Sequence, residues 1–439
     1  MSLRLLLMYM IVPIGIIVIL FRPFWGAVML SLMYFMRPQI WGMPDWMQPV
    51  LFFSIAIMVA LAIRYRQIKF PLSVVLALGM LAMMTVSSFL AVASSAVSFD
   101  QNITVLKLIL AMVFMVNFVR TPKEMTILLW TFVVGILWMN KAAIVYYLTT
   151  GVQQVGGIGG QSGDSNYLAL CITMTLPFLI VKASSTHKLE KLIAMGLSGI
   201  WLFALILTGS RAGFVALLVT AVFLFLRMQR RLVGAAVLGL LVMLFVLMSP
   251  AYYWERMGTI TDYREEVSAA SRLAFWQAGM RMFRDHPVTG IGQGNFILLS
   301  PIYVPEFVKI SDGEETGFVT HNTFVQTLAE GGVQSLVLFL LLFGVSFLYL
   351  RRAKALPASH PDHQTLHNLA TSIELALLAF LINAFFGSYI LIDFIYWYLG
   401  CAAALYLMAK ERLAEAAAPI PAVTAQPMAA YPAHARQLH

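Results

Sequence analysis

Long apolar segments recur along almost the whole of this sequence, and they constrain its fold more than any other feature. Most have the roughly 17 to 25 residues that an α-helix needs to cross a bilayer core. A membrane β-barrel would instead show short segments of alternating polarity. The pattern predicts an all-α polytopic membrane protein of about 12 transmembrane helices. The apolar runs are 3–20, 24–36, 49–63, 70–90, 104–119, 125–148, 167–182, 192–208, 212–227, 233–249, 322–350, 369–388 and 390–408.

Composition supports this interpretation. The chain has 439 residues, of which 60% are hydrophobic and 11% are charged, and its mean hydropathy is +0.83. An average soluble domain has about 25% charged residues. The net charge of +9 does not indicate nucleic-acid binding, because most Lys and Arg lie in short clusters between apolar runs. Cys171 and Cys401 both fall inside apolar runs, so no disulfide framework is predicted.

The basic clusters also predict orientation. They occupy every second connection, and such connections stay in the cytoplasm. A long polar interval then faces outward. The first two apolar runs are compatible with two short helices or with one broken span. We divide the chain into N-terminal transmembrane helices (1–249), a large outer loop containing helices (250–321), C-terminal transmembrane helices (322–408) and a disordered cytoplasmic tail (409–439).

The outer loop is too long to be a simple connection. It has about seventy residues, whereas ordinary connections have about six. Within it, Leu273, Trp276, Met280 and Phe283 recur near helical spacing, which predicts a helix on the membrane surface or packed over the bundle. We expect the loop to cover a site, and its length suits a lid that closes on substrate.

Four polar segments lie in this loop or at the outer ends of helices. Gly163-Asp-Ser-Asn166 and Gly209-Ser-Arg211 each precede an apolar run, Arg272 lies in the loop helix, and His321-Asn322 precedes the run at 322. Helix N-termini present free N–H groups to anions. Arginine binds phosphate through a planar fork of donors. These segments predict a site for a phosphate-bearing substrate on the outer face, with Asn166 and Asn322 among its polar groups.

Each candidate also has a simpler interpretation. Arg211 could extend to lipid headgroups, although arginine is disfavoured on the outer face. Arg272 could be a solvated residue of a charged surface helix, and His321 could merely cap a helix or lie exposed. A neutral imidazole, however, accepts a proton near neutral pH, as a general base must. Lys141, near the outer end of its helix, is a further candidate for substrate contact.

A glycine-rich run, Gly290-Ile-Gly-Gln-Gly294, resembles a phosphate-cradling turn. No strand and helix pattern surrounds it, which argues against a dinucleotide site. An anion-binding nest of backbone N–H groups is the alternative.

Taken in order, these motifs resemble the O-antigen ligase family, membrane enzymes of the bacterial envelope. The superfamily also includes O-antigen polymerases and protein O-oligosaccharyltransferases. The similar segments cover about residues 160–340. They are Gly163–Asn166, Thr208–Gly213, Ser271–Trp276, Asp285–Phe296 and His321–Gly332.

The resemblance implies a GT-C-like glycosyltransferase in the bacterial inner membrane, with its active site on the periplasmic side. It would transfer polysaccharide from undecaprenyl diphosphate to a sugar hydroxyl of the lipid A core. His321 would be the general base, and Arg211 and Arg272 would bind the donor diphosphate. A single displacement would invert the anomeric carbon. No cofactor is implied, and because arginines would balance the leaving group, we expect metal-independent transfer.

Other functions predict different features. A polymerase or a protein O-oligosaccharyltransferase would share these motifs, because the motifs describe the donor end. A transporter of lipid-linked polysaccharide should show internal repeats and ionisable groups near the membrane midplane. A structural scaffold needs no cluster of polar residues on one face. The cluster and the lack of a convincing repeat favour an enzyme.

Overall fold

The computed structural model describes residues 3–37, 48–64, 67–152, 155–157, 163–227, 267–311 and 314–417, together with Gly239 and Met243. Apart from those two residues, the helix predicted at 233–249 lies outside the described part of the chain, as do the tail residues beyond 417.

The described residues form fourteen helices and one short hairpin. The hairpin pairs β1 (Lys309–Ser311) antiparallel with β2 (Glu314–Thr316). The helices are α1 (Leu3–Phe21), α2 (Phe24–Met36), α3 (Pro49–Arg64), α4 (Leu72–Phe89), α5 (Ser95–Phe118), α6 (Pro122–Thr150), α7 (Ser165–Lys182), α8 (Lys188–Thr208), α9 (Arg211–Arg227), α10 (Val267–Asp285), α11 (Phe296–Tyr303), α12 (Thr323–Ala353), α13 (His363–Ala384) and α14 (Asp393–Ala417).

The helices make the chain a multi-pass membrane protein. Among the described helices, seven are long and apolar enough to cross a membrane, namely α4 to α8, α12 and α13. Shorter apolar helical segments lie at Met8–Phe21, Phe24–Met36, Pro49–Arg64 and Arg211–Leu226. The first two apolar runs form two separate helices. The total of about 12 spans stays a prediction.

One end of the bundle collects basic connections, and we call it the basic end. The Lys69 ammonium pairs with Glu411 at 2.6 Å, which joins the α3–α4 turn to the last turns of α14. Arg412 pairs with Asp362 in the α12–α13 connection. Connections that the sequence assigns to one side of the membrane are therefore also together in space.

The opposite end, which we call the site end, carries α10, α11, the hairpin and the turns before α5, α7, α9, α12 and α14. Helix α10 packs against α12, and its buried face runs through Phe275, Ala278 and Met282. The loop helix predicted from the sequence is present, but Leu273 and Met280, two of the four residues that predicted it, are exposed. The packing face is thus rotated from the one that the spacing indicated.

The glycine-rich run Gly290–Gly294 joins the outer loop to α12. Its three glycines all have positive φ. The N–H groups of Ile291 and Gly292 donate to the carbonyls of Ala329 and Glu330, each at 3.0 Å. These donors are used within the protein, which argues against the open phosphate cradle considered from the sequence.

Glu330 is a buried acidic residue that this run surrounds. Its side chain is 2% exposed, and its carboxylate accepts a hydrogen bond from Phe296 N at 3.3 Å and another from Gln326 Nε2 at 3.3 Å. A buried carboxylate needs such donors because burial removes its hydration. The neighbouring Gly332 (φ 71, ψ −177) interrupts α12, and a side chain there would overlap the Val288 carbonyl.

Asn295 fixes the same segment to the α4–α5 turn. Its side-chain oxygen accepts from Ser94 N at 2.6 Å, and its amide donates to Ser98 Oγ at 2.7 Å. The described residues from 286 to 300 are therefore bonded to α12 and to the α4–α5 turn with the start of α5.

Candidate active site

The N-termini of α7 and α9 meet at the site end. Asp164 caps α7, accepting a hydrogen bond from Asn166 N at 2.8 Å. Ser210, just before α9, donates its hydroxyl to Asn166 Oδ1 at 2.8 Å and accepts from Gly213 N at 3.2 Å. Asn166 thus ties together two helix ends whose partial positive charge attracts anions.

Arg211 is the first residue of α9 and follows this junction directly. Gly209 ends α8 in the left-handed conformation (φ 60), which allows the chain to turn into α9 within three residues. The Arg211 side chain is exposed, and it makes no hydrogen bond or ion pair within the described part of the chain. Its guanidinium is available to a ligand.

His321 lies in the turn before α12. Its backbone is left-handed (φ 51), an uncommon conformation for a residue other than glycine. On one side, the Thr320 carbonyl accepts a hydrogen bond from Trp276 Nε1 of α10 at 3.1 Å. On the other, Asn322 caps α12 by accepting from Phe324 N at 3.0 Å. The turn is held between the outer loop and the bundle, as strained backbone at functional sites requires.

Two charges act on the imidazole of His321. The side chain is half-buried, and burial lowers its pKa below the ordinary value. The Arg272 guanidinium lowers this pKa further, and the Asp164 carboxylate opposes the shift. Arg272 of α10 and Asp164, the N-cap of α7, therefore both act on the charge of His321. The lowered pKa favours the neutral imidazole, which is the form that accepts a proton.

The α13–α14 turn closes the site behind His321. Thr323 Oγ1 donates to the Gly387 carbonyl at 2.7 Å and accepts from Tyr389 N at 2.9 Å. The Ser388 and Thr320 hydroxyls lie 3.2 Å apart. This turn therefore backs the residues on both sides of His321.

Sequence reasoning missed Tyr389. The same Asp164 and Arg272 charges that act on His321 also act on this phenol. The available signal was a short turn, Gly387-Ser-Tyr389, between two apolar runs on the predicted outer face. Tyrosine is common at membrane interfaces, so the residue type alone does not indicate a site.

Lys141 differs from the other candidates. It is exposed on α6, and its ammonium lies 5.2 Å from the ring centroid of Trp138 on the same helix. The contacts of the described residues connect Asn166, Arg272 and Asn322 to one region, and they do not connect Lys141 to it. Within the same described residues, no group of three or more His, Cys, Asp or Glu could hold a metal ion.

Fold and site together define a multi-pass helical membrane protein whose polar site combines arginine, a neutral histidine and helix N-termini. The family described as O-antigen ligase matches residues 196–340, about a third of the chain, a segment that includes Arg211, Arg272 and His321. This match confirms the resemblance to the O-antigen ligase family, whose members are glycosyltransferase-like enzymes. No curated protein matches the chain.

Proposed function

We propose that this protein transfers polysaccharide from undecaprenyl diphosphate to a sugar hydroxyl of the lipid A core, as an O-antigen ligase. One observation carries the proposal. Within the segment that the family matches, a half-buried His321 lies under the influence of Arg272 and beside the N-termini of α7 and α12. A base, a cation and helix ends are the groups that sugar transfer from a lipid diphosphate requires.

His321 acts as the general base in this reaction. Its neutral imidazole takes the proton of the acceptor hydroxyl while that oxygen bonds to the anomeric carbon. The bond from the anomeric carbon to the diphosphate breaks, and its electron pair leaves with undecaprenyl diphosphate. Asp164, which raises the pKa of His321, stabilises the imidazolium that forms. One displacement on one face of the sugar inverts the anomeric configuration.

Arg272 and Arg211 bind the diphosphate. Negative charge grows on the leaving group during the reaction, so preorganised cations stabilise the transition state more than the ground state. The positive ends of α7, α9 and α12 act in the same direction. Asn166 and Asn322 hold the helix ends next to Arg211 and His321 and contribute polar groups to the site. Lys141 is assigned to a more distant part of the substrate.

The acceptor defines the particular reaction. An O-antigen polymerase would use a second lipid-linked chain, and a protein O-oligosaccharyltransferase would use Ser or Thr, with the same donor half. The predicted orientation places the site end in the periplasm of a cell with an inner membrane, where lipid A core is available. The description of the matched family as O-antigen ligase supports the ligase, in a GT-C-like fold.

The experiment is transfer by the purified protein with undecaprenyl-diphosphate-linked polysaccharide and three separate acceptors. We expect product on lipid A core, and unchanged product when EDTA is present. Product only on a second donor molecule or only on a pilin-like protein would reassign the reaction. Loss of activity in EDTA with recovery in magnesium would contradict transfer balanced by arginine.

A further inference from the structure

The hydroxyl of Tyr389 is a buried polar group without a hydrogen-bond partner. The residue is 5% exposed, and its oxygen makes no hydrogen bond with any residue that the structure describes. Native proteins pair nearly all buried polar groups, so an exception calls for a physical explanation. A purely structural role would be served better by phenylalanine, which has the same ring and no unsatisfied oxygen.

The turn that carries Tyr389 is held firmly in the site. Its backbone N–H donates to Thr323 Oγ1 at 2.9 Å, and Thr323 is two residues from His321. The aromatic ring folds back over Gly387, where any larger side chain would overlap it. Because backbone and ring are both fixed, the hydroxyl has a defined position.

The charges around this hydroxyl are those of the candidate active site. Burial raises the pKa of Tyr389, the Asp164 carboxylate raises it further, and Arg272 opposes the shift. The phenol therefore stays protonated and can donate a hydrogen bond. Arg272 is also the cation to which we assign the donor diphosphate.

We propose that the Tyr389 hydroxyl donates a hydrogen bond to a phosphate oxygen of the lipid diphosphate bound by Arg272. This assignment rests on the proposed function. An anionic phosphate oxygen is a strong acceptor. Because water does not reach the hydroxyl in the free protein, the new bond replaces no bond to water. Binding requires that the side chains covering the hydroxyl move aside.

The test uses the purified full-length protein and undecaprenyl diphosphate without attached sugar. It compares wild type with Tyr389→Phe, which removes only the oxygen. Tyr398→Phe is the matched control, since Tyr398 is equally buried, but its hydroxyl donates to the Met174 carbonyl at 3.2 Å. Dissociation constants and melting temperatures are measured for all three proteins.

We expect Tyr389→Phe to weaken binding about tenfold, as loss of a hydrogen bond to a charged group does. Its melting temperature should equal or exceed that of wild type, because an unpaired oxygen is removed. Tyr398→Phe should show the reverse pattern, with a lower melting temperature and unchanged binding.

Three results would overturn the inference. Equal affinity of Tyr389→Phe and wild type would remove Tyr389 from the diphosphate site and leave the proposed function intact. Reduced stability with unchanged affinity in Tyr389→Phe would give the hydroxyl a structural role. Failure of wild type itself to bind the probe would reject the proposed function and the inference with it.

Discussion

His321 illustrates how much depends on the surroundings of one residue. Burial and the Arg272 guanidinium disfavour protonation of its imidazole, and the Asp164 carboxylate favours it. The general-base role requires the neutral form, so activity should fall on the acidic side as the imidazole becomes protonated. An unperturbed histidine has a pKa of about 6.5. We expect the acid limb of kcat/KM to lie below that value.

The two neighbouring charges should move this acid limb in opposite directions. Arg272 lowers the His321 pKa, so Arg272→Gln should move the limb to higher pH, besides weakening donor binding. Asp164 raises the pKa, so Asp164→Asn should move the limb to lower pH, and asparagine can still cap α7. The pH dependence of kcat/KM is the measurement. Shifts of both variants in the same direction would exclude His321 as the titrating base.

Arg211 tests whether geometry or charge alone binds the diphosphate. Lysine keeps the charge but loses the planar fork of donors. Arg211→Lys should therefore lower kcat/KM by roughly tenfold or more, the size expected when a hydrogen bond to a charged group is lost. Arg352→Lys is the control, because Arg352 lies in the last turn of α12 at the basic end, over the ring of Tyr406. Full activity of Arg211→Lys would reduce Arg211 to an electrostatic anchor.

At this scale the sequence predicted part of the site. Asn166, His321 and Asn322 were found because each belongs to a polar motif next to an apolar run, and Arg272 because it lies in the predicted loop helix. The structure brings all four to one region. Tyr389 was missed, because what distinguishes it is an unpaired oxygen that only packing reveals. Roles on substrate stay predictions for all of them, and for Lys141 the structure adds only its contact with Trp138.

Among the elements, the broken α12 determines how the outer loop meets the bundle. Gly332 interrupts the helix with φ 71, and the residues around Val288 occupy the space where its side chain would be. The break leaves backbone groups of α12 free to bond outside the helix. The Val333 N–H donates to the Pro287 carbonyl of the outer loop at 3.0 Å. The sequence predicted one continuous helix at 322–350, since a single glycine in an apolar run does not reveal a left-handed backbone.

The substitution Gly332→Ala tests the role of this break separately from the role of the rest of α12. Alanine would be strained at φ 71 and would overlap the Val288 carbonyl, so we expect a loss of roughly 1–3 kcal/mol of stability. Transfer activity should fall as well, because the segment that follows α10 packs against this break, and α10 carries Arg272. Gly344→Ala in the same helix is the control, since nothing lies within 4 Å of the added carbon. The melting temperatures of both variants are the measurement, and an equal effect of the two substitutions would contradict this account.

Element boundaries followed apolar runs only in part. Helix α5 begins at Ser95, well before the predicted run at 104–119. The apolar run missed its first turns because they carry polar residues such as Asp100 and Asn102. Helix α14 continues through Ala417, whereas a disordered tail was predicted from residue 409. Lys69 and Asp362 hold its last turns in place through Glu411 and Arg412. Pairings between distant connections cannot be inferred from composition.

The whole molecule has two chemically different ends. Basic connections pair with acidic residues at one end, and the histidine, the helix N-termini and the outer loop lie at the other. If the basic end faces the cytoplasm, as the positive-inside trend predicts, the candidate site faces the opposite compartment. The alternation of basic connections predicted this division, although it did not predict which side chains meet.

Labelling of single cysteines tests the orientation. Glu306 is exposed at the site end and Ser184 is exposed at the basic end. Both native cysteines are buried, which lowers the background. A membrane-impermeant maleimide added to cells with a permeabilised outer membrane should label Glu306→Cys and spare Ser184→Cys until the inner membrane is opened. The reverse pattern would place the site in the cytoplasm and contradict the proposed acceptor.

The rate of transfer by His321→Ala, with purified lipid-linked donor and lipid A core, tests the central claim most directly. Loss of the general base should lower kcat by about a hundredfold to ten-thousandfold, while undecaprenyl diphosphate still binds. His187→Ala, which removes an exposed histidine at the basic end, should transfer at the wild-type rate. Transfer by His321→Ala at the wild-type rate would contradict the account, because the residue at which α7, α10 and α12 converge would then have no part in the chemistry.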